Sequence, residues 1–128
     1  MFKKIAVIGV LSVAVLSGCS TLSSVKEAKG SGTNRLYNKP FENVWSETVE
    51  TVESCGLIVV STDKTKGEIM AEKGMTTVSY GENVGVFVKP MGEAQTQVEV
   101  VSKRVLAANI LAKDWEVEIF KYLDFKLQ

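Results

Sequence analysis

A chain of 128 residues with 45% hydrophobic and 23% charged content has the size and makeup of one globular domain built on one core. Fifteen basic residues balance fifteen acidic ones, so no net field steers the chain toward nucleic acid and no nucleic-acid partner is expected. The absence of histidine removes the commonest general base, the usual catalytic triads and most zinc sites. The chain therefore reads as non-enzymatic, with no catalytic residue, no metal and no dissociable cofactor.

The first element in chain order is a secretion signal in three parts. Lys3 and Lys4 supply positive charge, and Ile5 to Leu16 form an apolar run interrupted only by Gly9 and Ser12. This run is shorter than the roughly 20 residues that a bilayer span needs. Small residues then precede Cys19.

The tetrapeptide Leu16-Ser17-Gly18-Cys19 resembles the lipobox of bacterial lipoproteins. The resemblance implies that residues 1–18 are a cleaved signal, with Leu16, Ser17 and Gly18 recognised by the signal peptidase. It also implies that the Cys19 thiol receives diacylglycerol and that the new amino terminus receives an N-acyl chain. Each buried methylene contributes about 0.8 kcal/mol, and two or more chains anchor stably where one binds only reversibly. Ser20 is similar to the residue found after the cysteine in the outer-membrane class, because aspartate there favours inner-membrane retention. The expected location is the periplasmic face of the outer membrane, or the cell membrane in an organism with only one.

Removing residues 1–18 from 128 leaves 110, with 13 basic against 15 acidic residues. That length can bury a core without disulfides. From Ser20 to Asn34 the chain is rich in Ser, Thr, Gly and Lys, with Leu22 and Val25 as apolar exceptions. Residues 19–34 thus read as a lipidated N-terminus and flexible tether, spanning roughly 20 Å as a coil, and residues 35–128 as a small periplasmic domain.

Within that domain, Arg35-Leu36-Tyr37 reads as a short strand and Pro40 suits the opening turn of a helix. Phe41, Val44, Trp45, Thr48, Val49, Val52 and Cys55 recur at three- and four-residue steps, and Gly56 suits a left-handed cap. Leu57 to Val60 and Glu68 to Glu72 flank turn residues Asp63 to Gly67, which predicts a hairpin. Val84, Val86 and Val88 alternate with Gly85, Phe87 and Lys89. After a turn at residues 90–93, Val98 and Val100 alternate with Gln97, Glu99 and Val101, giving a second hairpin. Trp115, Ile119, Phe120, Tyr122, Leu123 and Leu127 close the chain with an amphipathic helix. The expected fold is an α+β two-layer sandwich: a four- or five-stranded antiparallel sheet with two helices on one face and the other face wet.

Several residues invite a chemical reading. Glu42, Glu47, Glu50 and Glu53 occupy the polar azimuths of the first helix and read as a solvated face. Cys55 falls on the apolar stripe and reads as a small buried hydrophobe. Asp63 to Gly67 has its glycine fifth, where a calcium loop needs it sixth. Tyr80 to Gly85 opens a strand and lacks the helical amides that cradle phosphate. Val105, Leu106, Ile110 and Leu111 lie in an apolar connection that is either a core cover or a surface for another envelope protein or the bilayer. Met70, Met75 and Met91, with the helix stripes, suggest an alternative role in binding a small molecule or lipid between sheet and helices.

The run from Pro40 to Trp45, then Gly56 to Val59, then Asp63 to Ile69 resembles a pattern in small envelope lipoproteins of uncharacterised function. It is also similar to the repeated domains of the lipoprotein C subunit of the β-barrel assembly machinery. The resemblance covers about residues 40–73. It implies that Trp45 anchors the helix, Gly56 turns the chain, and Asp63 with Gly67 closes the hairpin. The reading that follows is an outer-membrane lipoprotein with a non-enzymatic domain that interacts with, or scaffolds, an envelope protein.

Overall fold

The computed structural model describes residues 21–74, 81–104 and 114–128. Its elements in chain order are α1 (Leu22–Glu27), β1 (Thr33–Tyr37), α2 (Phe41–Ser54), β2 (Ile58–Asp63), β3 (Glu68–Lys73), β4 (Glu82–Pro90), β5 (Thr96–Arg104) and α3 (Trp115–Leu127). The five strands form one open antiparallel sheet in the order β1-β5-β4-β3-β2, and the fold is the α+β sandwich expected from the alternation.

Pro40 is the N-cap of α2, one residue ahead of the position expected for it, and Gly56 follows the helix at φ +85°. Val44, Trp45, Thr48 and Val52 are buried on one side of α2, while Glu42, Glu50 and Glu53 are exposed. In α3 the Asp114 carboxylate caps the helix by accepting from the amides of Glu116 and Val117 at 3.0 and 3.3 Å. Trp115, Ile119, Phe120, Leu123 and Leu127 are buried with the α2 stripe, so both tryptophans belong to the core. Tyr122 departs from expectation at 43% exposed, because Leu123 takes the inward azimuth beside it.

These helices share one face of the sheet, where they meet Val84, Val86 and Val88 of β4 and Val98 and Val100 of β5. Val86 stands opposite both Ile69 and Val100, and Val84 opposite Ala71, so the three central strands offer one continuous apolar floor. Burial of each such side chain contributes about 1.5–3 kcal/mol. Cys55 is half-buried against this cluster rather than fully enclosed.

The opposite face is not uniformly wet. Met70, Phe87 and Val101 point to it and are buried beneath Val25 of α1, with Leu22 and Ala28 packed alongside. Residues 22–27 are therefore a docked helix, not a slack tether, and the folded body includes residues from Thr21 onward that were expected to precede it. The physical reason lies in the sheet itself: three apolar side chains on the outward phase of β3, β4 and β5 need a cover, and α1 supplies it.

The edge strand β2 is irregular. Its register against β3 shifts between Val59 and Ser61, which marks a β-bulge, and Ile58 and Val60 are exposed there.

Candidate functional site

The best-defined polar construction among the described residues fastens α1 to the sheet. Thr21 and Ser24 form a reciprocal capping box: the Ser24 amide donates to Thr21 Oγ1 at 3.2 Å and the Thr21 amide to Ser24 Oγ at 2.9 Å. Val25 then sits over Gly85, where a Cβ would fall 2.5 Å from Val25 Cγ1. Only a glycine leaves that hollow in the middle of β4.

Beyond α1, Gly30-Ser31-Gly32 leads into β1 across the Glu99 carboxylate. The Gly30 amide donates to both Glu99 oxygens at 2.9 and 2.8 Å, and the Gly32 amide donates to Oε2 at 2.9 Å. Glu99 is 6% exposed. A carboxylate this buried is costly unless its lone pairs are filled, and short charge-assisted bonds from two amides fill them. Gly32 is required by close approach, since a Cβ there would collide with the Val100 carbonyl oxygen. Lys26 and Lys29 add ion pairs to Glu68 at 3.3 and 4.0 Å; with both lysines about half exposed, these contribute little.

Beside this clasp, the β2–β3 turn, the end of β4 and Lys29 enclose a cleft of about 390 Å³. Lys29, Lys64, Lys66 and Lys89 line it, with Phe41, Phe87, Val88 and Pro90 as its apolar part. The Lys29 ammonium lies 5.3 Å from the centre of the Phe87 ring, a cation–π contact. The turn is held by the Asp63 carboxylate, which accepts from the Lys66 amide at 3.1 Å, and by the Gly67 carbonyl, which accepts from the Val88 amide at 2.7 Å. Glu42 pairs with Lys64 at 2.6 Å, whereas Lys66 and Lys89 have no ion pair among the described residues. Three carboxylates, Glu42, Asp63 and Glu68, thus face five ammoniums once Lys26 is included, leaving a net positive site.

A second polar cluster joins β1 to α3. Asp124 accepts from Arg35 at 2.6 Å and from the Tyr37 hydroxyl at 2.7 Å. Burial, reinforced by the hydrogen bond and charge of Asp124, pushes the Tyr37 hydroxyl well above its ordinary value, so it stays a donor. This cluster is internally satisfied and fastens α3 to the first strand.

The sequence-predicted site residues lie beyond what the structure describes. Leu16, Ser17, Gly18, Cys19 and Ser20 lie outside the described residues, as do Val105, Leu106, Ile110 and Leu111. Of the three methionines, Met70 is buried under α1, on the sheet face away from α2 and α3, and Met91 is 49% exposed at a turn; Met75 is outside the described residues. Met70 and Met91 mark no common cavity between sheet and helices, where apolar side chains already pack. Asp63 serves the turn, and among the described residues no group of three His, Cys, Asp or Glu could hold a metal ion. No described helix is long and apolar enough to cross a membrane.

Sequence reasoning missed Glu99, Gly30, Gly32 and the lysine cleft. The signal was present in Phe87 and Val101, large apolar residues on the supposedly wet phase, and in Leu22 and Val25, spaced i, i+3 after a Thr21-x-x-Ser24 start. Comparison of the chain with protein-family models finds no match, and neither does comparison with curated proteins.

Proposed function

We propose that the chain is an envelope lipoprotein, anchored by acyl chains on Cys19 in the periplasmic face of the outer membrane, whose domain works by binding an envelope protein and not by catalysis. The observation that supports this most is the clasp at the N-terminus. Only Ser20 and Thr21 stand between Cys19 and α1, and α1 is fixed to the sheet through Val25 and Glu99. Three residues reach at most about 10–11 Å. An anchor at Cys19 would therefore hold the domain directly at the bilayer surface, without the long tether expected from composition, and would limit how the domain can turn.

The absence of histidine from the chain supports a role in binding rather than chemistry. Mass analysis of the native N-terminus tests the anchor: the expected mass begins at Cys19 and carries diacylglycerol plus an N-acyl chain. Cys19→Ser is expected to move the protein from the membrane to the soluble or precursor fraction. Native material beginning at Met1 without acyl chains would overturn the proposal. Reversible crosslinking in intact cells is expected to capture one dominant envelope protein, and a clean lack of any partner counts against the binding role.

A further inference from the structure

We propose that the lysine-walled cleft between the β2–β3 turn, the end of β4 and Lys29 takes the phosphodiester headgroup of an anionic phospholipid in the same membrane that holds the anchor. The proposal rests on the anchored reading given above and goes beyond it by naming a lipid-facing site.

Charge carries the first part of the argument. The cleft gathers Lys29, Lys64, Lys66 and Lys89, and the two that have no ion pair among the described residues, Lys66 and Lys89, stand on separate elements that face one volume. Bringing like charges together is unfavourable unless an anion is shared between them. The apolar part carries the second. Phe41 and Pro90 form the accessible apolar wall beside the ammonium rim, with Phe87 and Val88 almost wholly buried behind it, and the volume of about 390 Å³ exceeds what one phosphate fills. A free inorganic anion would leave that surface wet, whereas the glycerol and first methylenes of a lipid would cover it.

Position carries the third. From Leu22 to Lys29 the chain rises about 10 Å at helical pitch, and the reach from Cys19 to Leu22 is about 10–11 Å. Lys29 therefore stays within roughly 20 Å of the anchored residue. At that distance the tether converts headgroup binding into an effectively intramolecular event, so a weak site is well occupied.

The test uses the full protein purified from membranes and placed in vesicles of phosphatidylcholine alone or of phosphatidylcholine mixed with phosphatidylglycerol. The rate of amine acylation at each lysine is read by mass spectrometry. Lys66 and Lys89 are expected to react about fivefold more slowly with phosphatidylglycerol present, and Lys121 on α3 is expected not to change. That factor corresponds to the usual strength of one lysine near an anionic surface. High salt should erase the protection.

Equal rates in both vesicles, or slowing at Lys121 as large as at Lys66, would overturn the proposal. So would equal protection by inorganic phosphate in detergent, which would mark a site for soluble anions. The anchor and the cleft fail separately. A protein without acyl chains would leave phosphatidylcholine vesicles altogether, yet should still bind phosphatidylglycerol vesicles weakly, at high lipid concentration, and the double variant Lys66→Gln, Lys89→Gln should weaken that residual binding about thirtyfold. Both lysines are exposed, so the variant retains the fold, and retained binding would refute the site.

Discussion

Replacing Glu99 by Gln tests whether a buried carboxylate is what keeps α1 on the sheet. The side chain keeps its size, but one acceptor oxygen becomes an NH2 group facing an amide donor. The Gly30 amide reaches both oxygens at 2.9 and 2.8 Å and the Gly32 amide reaches one at 2.9 Å, so any rotamer of glutamine loses at least one of these bonds. A hydrogen bond to a charged group contributes about 1.5–3 kcal/mol. A loss of about 2–3 kcal/mol raises the local opening equilibrium about 30- to 140-fold. Val25 remains buried and contributes about 1.5–3 kcal/mol, so α1 should open more often without detaching for good. Hydrogen exchange is the appropriate assay: amides across residues 21–32 should speed up by that factor while those at the centre of β4 and β5 hold. If β4 and β5 accelerate as much as residues 21–32, the carboxylate stabilises the whole sheet and the latch reasoning is wrong. No change in either region would show that the bonds are too weak to matter.

Gly85→Ala should push Val25 out of its hollow and cost about 1–3 kcal/mol; adding Val25→Ala should recover part of it, and a double-mutant cycle with no coupling would contradict the contact. Tyr37 is held protonated in the fold, so its contribution is complete below the ordinary tyrosine value near 10 and is lost as pH rises beyond it. Unfolding free energies from denaturant titrations should therefore fall more steeply above about pH 10 in the native protein than in Tyr37→Phe, by up to about 1.4 kcal/mol per pH unit. Ile119→Ala, in the centre of the main core, should cost about 2–5 kcal/mol. Phe125→Ala, 87% exposed on the same helix, should stay within about 0.5 kcal/mol by thermal melting.

The main layer was legible in the sequence because periodicity reports one-sided burial directly. The alternation around Val84, Val86 and Val88 and the helical steps from Phe41 to Val52 name the side chains that meet in the core. The second layer was harder to read because its cover is short. Six residues give under two helical turns, and Ser23, Ser24 and Lys26 around Val25 have the composition of a linker. Local propensity does not fold such a segment; a tertiary surface does, and that surface comes from Met70, Phe87 and Val101 on three separate strands. Glu99 was equally hidden, since an outward glutamate in a strand looks solvated until the glycine amides that fill it are placed. The lysine cleft joins Lys29, Lys64, Lys66 and Lys89 from three stretches of chain, which no spacing rule connects.

The break in register between Val59 and Ser61 has a bearing on crowding. If the chain is anchored as proposed, it is confined to a plane and meets its own copies far more often than one diffusing in volume, and open sheet edges are where such meetings turn into stacks. A kinked outer strand offers no straight run of donors and acceptors to a neighbour. Ile58 and Val60 are thus exposed along that rim without a straight strand edge for a second copy to extend.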